Sequence, residues 1–175
     1  MSQTIKLTTP ISEETVRSLK AGDIVMLSGV IYTGRDAAHK RLCAMLDNQE
    51  KLPVDLDGQL IYFVGPCPAP PGRVIGSAGP TTSGRMDAYS PRLIKECSLR
   101  GMIGKGDRNA AVKDAMKEYG APVCRDDKHQ AKMDIGIATA ARHLLCSNSL
   151  GHPIEPFPRT HIGCTVCRSI CLLNA

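Results

Sequence analysis

Apolar residues along this chain come in short blocks separated by polar turns, and the period within a block switches between strand-like and helical. Ser12 is placed to cap a short helix whose first turn holds Glu13 and Glu14 and which runs to about Lys20. Gly22-Asp23 turns the chain into Ile24 to Tyr32, an almost unbroken apolar, β-rich run that predicts one buried strand. Asp36 is the expected cap of a second helix, with Ala38, Leu42, Met45 and Leu46 as its apolar stripe. Leu60 to Val64 predicts another strand, and Arg73 to Ser77 a short one. Between them, Gly65-Pro66-Cys67-Pro68-Ala69-Pro70-Pro71-Gly72 predicts a stiff surface loop, because proline removes donors and fixes φ. Ser90-Pro91 predicts a helix start, cap then Pro, carrying the chain to about Cys97. Met102 and Ile103 predict a brief strand. Asn109 is the expected cap of an amphipathic helix with Ala111, Val112, Ala115 and Met116, stopped by Gly120. Strand and helix alternate, so the predicted class is α/β, in one domain.

Three polar loops follow apolar strands in this layout. They are Tyr32-Thr33-Gly34-Arg35-Asp36, Gly79-Pro80-Thr81-Thr82-Ser83-Gly84-Arg85 and Gly104-Lys105-Gly106. Ligands of open α/β sheets bind beyond the carboxyl ends of the strands. The middle loop is the richest. Gly79 and Gly84 would let backbone approach a ligand, and Thr81, Thr82 and Ser83 supply hydroxyls. A helix starting there would aim N–H groups at an anion. Arg85 adds a planar fork suited to a carboxylate. If the loops converge, Arg35, Arg85 and Lys105 form a three-cation site for a small di-anion. Each loop alone also reads as an ordinary turn. Gly-Lys-Gly does not fit a P-loop, which needs four residues between its glycines and Ser or Thr after the Lys.

Composition narrows the alternatives. The 175 residues are 42% hydrophobic and 22% charged, a globular balance. Only 3% are aromatic and there is no Trp, so stacking platforms for bases are scarce and no nucleic-acid partner is expected. The net charge of +5 is scattered, and a site for small carboxylates explains it as well as a basic face for nucleic acid would. No apolar run reaches about 18 residues, so no membrane span is expected. The opening MSQTIKLTTPISEE has no apolar signal core, which predicts a cytoplasmic protein whose 8 Cys are thiols or metal ligands.

The strings YTGRDAAHKRL, PAPPGRVIGSAGPTTSGRMDAY and GMIGKG, with the opening LTTPISEETVRSLKAGDIVMLSG, resemble the C-terminal domain or separate β subunit of class I fumarases and L-tartrate dehydratases. The resemblance covers roughly residues 5 to 120, and loop order and spacing fit throughout. It implies a swivelling β/β/α domain and a hydro-lyase acting on fumarate, tartrate or a related small dicarboxylate. It also implies a partner α subunit holding a [4Fe-4S] cluster whose free iron acts as a Lewis acid, with no cofactor in this chain. Carried over by position, Arg35, Arg85 and Lys105 would hold substrate carboxylates, with Gly79 and Thr82 beside them. Thr81 matches the family's proposed base, whose alkoxide Arg85 and Lys105 would stabilise. Capping is the favoured reading of Asp36, and a structural role that of His39. The alternatives are a non-catalytic carboxylate-binding module that kept the loops and a metal-binding protein built on the Cys-rich tail.

Residues 121–175 leave the family pattern and form a Cys-, His- and Pro-rich segment beside the 1–120 domain. Ala131 to Cys146 predicts a helix. His161, Cys164, Cys167 and Cys171 are spaced like cluster ligands, with His replacing the first Cys, and would also suit zinc. The competing and favoured reading is an altered tail, such as a frame change near codon 121 would leave.

Overall fold

The computed structural model describes residues 4–20, 23–65, 70–71, 79–125, 142–143 and 171–174. Strand β1 (Thr4–Thr8) pairs in parallel with β2 (Ile24–Ser28), in register from Thr4 opposite Ile24 to Thr8 opposite Ser28. Between them lies helix α1 (Glu13–Ser18), capped as expected by Ser12, whose Oγ accepts from Thr15 N at 3.2 Å. β1 went unpredicted, although Ile5 and Leu7 alternate there with Lys6 and Thr8 in the pattern of a half-buried strand.

The larger sheet contains β3 (Val30–Thr33), β4 (Leu60–Tyr62), β5 (Gly101–Gly104), β6 (Val123–Arg125), β7 (Arg142–His143) and β8 (Cys171–Asn174), in the spatial order β6-β5-β4-β3-β8-β7. β3 to β6 run parallel; β8 is antiparallel to β3, and β7 to β8. The helices α2 (Asp36–Asp47), α3 (Ser90–Cys97) and α4 (Ala110–Tyr119) connect the parallel strands. Asn109 caps α4 through Val112 N at 2.9 Å, and Gly120 ends it in the left-handed region, both as predicted. Ala111 of the predicted stripe is exposed, while Val112 and Ala115 are buried. Tyr89, not Ser90, caps α3; Ser90 is already helical, and its Oγ donates back to Met86 O at 2.9 Å.

The predicted single strand over Ile24 to Tyr32 is two strands in two sheets. Gly29 (φ +99°) breaks it, and a Cβ there would fall 2.5 Å from Thr9 Oγ1. That same hydroxyl donates to Val30 O at 2.7 Å, holding the crossing. The first half is also not buried: Met26 is 56% exposed. Most of the predicted loop 65–72, the Arg73 to Ser77 strand and most of the Ala131 to Cys146 helix lie outside the described residues. Arg142–His143, inside that helix prediction, is strand, because its backbone pairs with β8.

Side chains of β3, β4 and β5 alternate strictly between two cores. Tyr32, Ile61, Phe63 and Met102 face α2, α3 and α4, meeting Leu42, Leu93, Ile94 and Val112. Ile31, Leu60, Tyr62, Val64 and Ile103 face the β1–β2 side, meeting Leu7, Ile11 and Val16. The arrangement is the expected β/β/α layering. It explains why the strands read as unbroken apolar runs: both faces are covered. Each fully buried aliphatic or aromatic side chain contributes about 1.5–3 kcal/mol. The carboxyl ends of β3, β4 and β5 therefore sit side by side on a rigid frame.

Candidate functional site

The three predicted loops leave that frame at one end and are joined by hydrogen bonds. The middle loop is wedged between the ends of β4 and β5. Thr81 N donates to Phe63 O at 2.6 Å, Lys105 N to Thr81 O at 3.3 Å, and Ser83 N to Lys105 O at 2.7 Å. Thr82 and Lys105 thus make a parallel bridge, an added rung beyond the sheet. Packing beneath it is tight. A Cβ on Gly104 would fall 2.8 Å from Phe63 Cδ2 and collide with the Ser83 hydroxyl. Ser83–Met86 is a single 3-10 turn whose Ser83 N–H is engaged by Lys105. The expected helix N-terminus aimed at an anion is therefore not formed in this way. Gly79 has nothing among the described residues within 4 Å of where a Cβ would stand, so its own fold does not require glycine there.

The first loop joins on the other side. Gly34 N donates to Tyr62 O at 3.0 Å, extending the β3–β4 pairing. The Arg35 guanidinium lies against Gly65, where a Cβ would come 2.8 Å from its Cζ. Gly65, assigned from sequence only to a stiff loop, makes room for this cation. Asp36 does not cap α2. The cap position is Arg35, Asp36 is already helical, and no side chain makes a capping hydrogen bond. Asp36 accepts instead from Arg85 Nη2, tying the first loop to the second. The pair is open to solvent, with side chains 55% and 38% exposed.

His39 has the structural place expected of it. Its Nδ1 lies 2.9 Å from Arg35 O, which makes Nδ1 the protonated nitrogen, and its ring meets Phe63 edge-on at 5.3 Å. Nε2 is buried without a hydrogen-bond partner among the described residues. Burial above all holds its pKa down to about 4, with the Arg35 carbonyl opposing. The ring is therefore neutral near pH 7, and it fixes the backbone that carries Arg35.

Sequence reasoning missed a second group beneath the rim. Arg108 is buried, and its Nε donates to Asp87 Oδ1 at 2.6 Å while Nη2 donates to Ser90 Oγ at 2.6 Å. Its guanidinium covers the Phe63 ring at 5.3 Å, and Asp87 Oδ2 accepts from Asn109 N at 2.7 Å. The signal available in sequence was weak: a cation and a carboxylate each close behind a predicted loop.

The structure thus gathers Arg35, Thr81, Thr82, Arg85 and Lys105 at one end of the sheet, with Lys105 and Arg85 exposed. Of the tail candidates, His161, Cys164 and Cys167 lie outside the described residues, and Cys171 is described only as strand backbone. Among the described residues no three His, Cys, Asp or Glu side chains form a metal-ligand group. Burial pushes the Cys43 thiol up and the Cys97 thiol to about 11, so both are protonated near pH 7. No helix among the described residues is long and apolar enough to cross a membrane.

Comparison with known proteins accounts for this arrangement. The aerobic class I fumarate hydratase of Escherichia coli is 44% identical over 94 residues, 54% of this chain and 17% of that enzyme. Fumarate hydratase 2 of Leishmania major is 40% identical over 99 residues, 57% of this chain and 17% of that protein. The L(+)-tartrate dehydratase subunit beta of Escherichia coli is 32% identical over 117 residues, 66% of this chain and 57% of the subunit. The chain therefore spans under a fifth of these fumarate hydratases and rather more than half of the tartrate dehydratase subunit. The model of the fumarase C-terminus family matches residues 1–124, from the first strand into β6 and across all three loops, and the chain belongs to that family.

Proposed function

We propose that this chain is the carboxylate-binding half of a hydro-lyase, which adds water reversibly across a fumarate-like double bond or dehydrates a related hydroxy acid such as tartrate. The observation carrying this reading is the joined rim: the Thr82–Lys105 rung and the Arg85–Asp36 pair bring two exposed cations from separate loops to one sheet end. Arg35 flanks them on the first loop. A dicarboxylate placed there meets Arg35, Arg85 and Lys105, with Gly79 and Thr82 lining the approach. Arg85 commits one nitrogen to Asp36 and keeps other donors for a substrate carboxylate.

Thr81 is the proton-transfer group. In dehydration its oxygen takes the proton from the carbon next to a carboxylate while hydroxide leaves the neighbouring carbon, proton and hydroxide departing as water; in hydration it gives a proton to carbon, water's hydroxyl joins the other carbon, and water's remaining proton restores the Thr81 hydroxyl. A hydroxyl does this only where cations stabilise the alkoxide, which is the second role of Arg85 and Lys105. The [4Fe-4S] group implied by the family resemblance is assigned to a partner α subunit or domain, where it would supply Lewis-acid polarisation of the substrate when bound. The beta-subunit name of the tartrate dehydratase relative supports a two-part assembly.

The test is an anaerobic ultraviolet assay of fumarate hydration and tartrate dehydration, with this chain, the cluster-bearing partner, and the mixture. Turnover in the mixture alone is expected. Thr81→Val in the mixture should abolish turnover while dicarboxylate binding is kept; retained turnover removes Thr81 as the base. An inactive mixture with an intact cluster would reject the hydro-lyase reading.

A further inference from the structure

The buried group beneath the rim has no task in the reaction as proposed, and it is costly. Arg108 and Asp87 have side chains only 4% and 10% exposed. A buried ion pair of this kind adds little net stability over well-packed apolar residues of similar volume, because both charges lose their water. Stability alone is thus a poor explanation for it. Its connections suggest another. Asp87 stands two residues after Arg85, on the same turn; Arg108 stands three after Lys105, on the same loop. The pair is a direct side-chain tie between the segments that carry the two exposed cations. Each end is also pinned elsewhere. Arg108 reaches Ser90 at the start of α3 and Met102 Sδ in β5 at 3.4 Å, and Asp87 holds the backbone of Asn109 at the start of α4.

We infer that Arg108 and Asp87 are positioning residues for the dicarboxylate site, setting the spacing between Arg85 and Lys105 and so the length of di-anion that fits. The inference rests on the functional reading above and deepens it. Neither residue touches substrate; both act through the two cations. Two bonds from one planar guanidinium, one to Asp87 and one to Ser90, fix distance and angle together, which a lysine ammonium cannot do.

The experiment uses the full chain, alone and assembled with its cluster-bearing partner. Arg108→Lys keeps the charge facing Asp87 and should fold with a melting temperature close to wild type. Its KM for fumarate should rise about tenfold with a smaller change in kcat, because binding geometry is what loosens. In an Arg85→Lys background the same substitution should change KM less than about twofold, since the cation it positions is already displaced. Hydrogen exchange on the chain alone should quicken about tenfold at Ser83 and Lys105 while Ile61 and Leu42 keep their protection. A KM within twofold of wild type, an equal effect in both backgrounds, or unchanged exchange at the rim would overturn the inference. A wild-type assembly turning over neither dicarboxylate would instead reject the functional reading, and the exchange result would then decide the positioning role by itself.

Discussion

Around the site arginine meets aspartate twice, once on the rim and once beneath it. Arg85 and Asp36 stay more than a third exposed, where an ion pair is worth about 0–1 kcal/mol and exchanges freely with water or a ligand. Arg108 and Asp87 are nearly sealed, where losing one partner strands the other charge. The same chemistry is thus replaceable in one region and obligatory in the other. The upper pair can yield a guanidinium to an incoming carboxylate; the lower pair cannot move without disturbing two helix starts.

Four measurements would break or sharpen that contrast. Arg108→Ala should cost about 3–5 kcal/mol by urea unfolding, since Asp87 is left buried without its cation; a loss under about 1 kcal/mol would place the lower pair with the upper one. His39, on the buried side, should make stability acid-sensitive. Its folded pKa, about 4, lies below the ordinary 6.5, so the unfolded chain takes up the proton first as pH falls. Its contribution is complete above about pH 6.5 and is lost progressively down to about pH 4, about 3 kcal/mol over the window. Unfolding curves of wild type and His39→Gln across that range should differ in slope, the variant being flatter. Arg85→Ala should lower turnover of the assembled enzyme at least about a hundredfold while shifting unfolding by less than about 1 kcal/mol. Wild-type turnover would remove Arg85 from the site. The smallest effect belongs to Asp36→Asn. It should leave stability within about 1 kcal/mol and lower the dicarboxylate KM about twofold by removing a competitor for the guanidinium. A large rise in KM would mean that Asp36 holds Arg85 in place rather than competing for it.

What the sequence could reveal follows the same division. Asn109 and Gly120 bound α4 through interactions within a few residues, so their types sufficed to place the helix ends. The three loops were legible because each follows an apolar strand, and their order resembles a known family. Gly29 was missed as a break because the apolar pattern runs across it; the need for glycine comes from Thr9, just past the end of β1. Asp36 looked like a cap because caps are local, whereas its true partner lies 49 positions away. Arg108 and Asp87 carried only the weak mark of a cation and a carboxylate each close behind a loop. Residue type tells what a charge can do, but only the folded neighbourhood decides whether it faces water or another charge.

The rung between Thr82 and Lys105 has one more consequence. Because the middle loop is built into the sheet end, its conformational freedom is surrendered when the domain folds rather than when another molecule arrives. A docking subunit would then meet a surface that already has its final shape. Encounter should be limited by orientation and not by loop closure, and the association rate should respond to ionic strength much more than to solvent conditions that slow loop ordering.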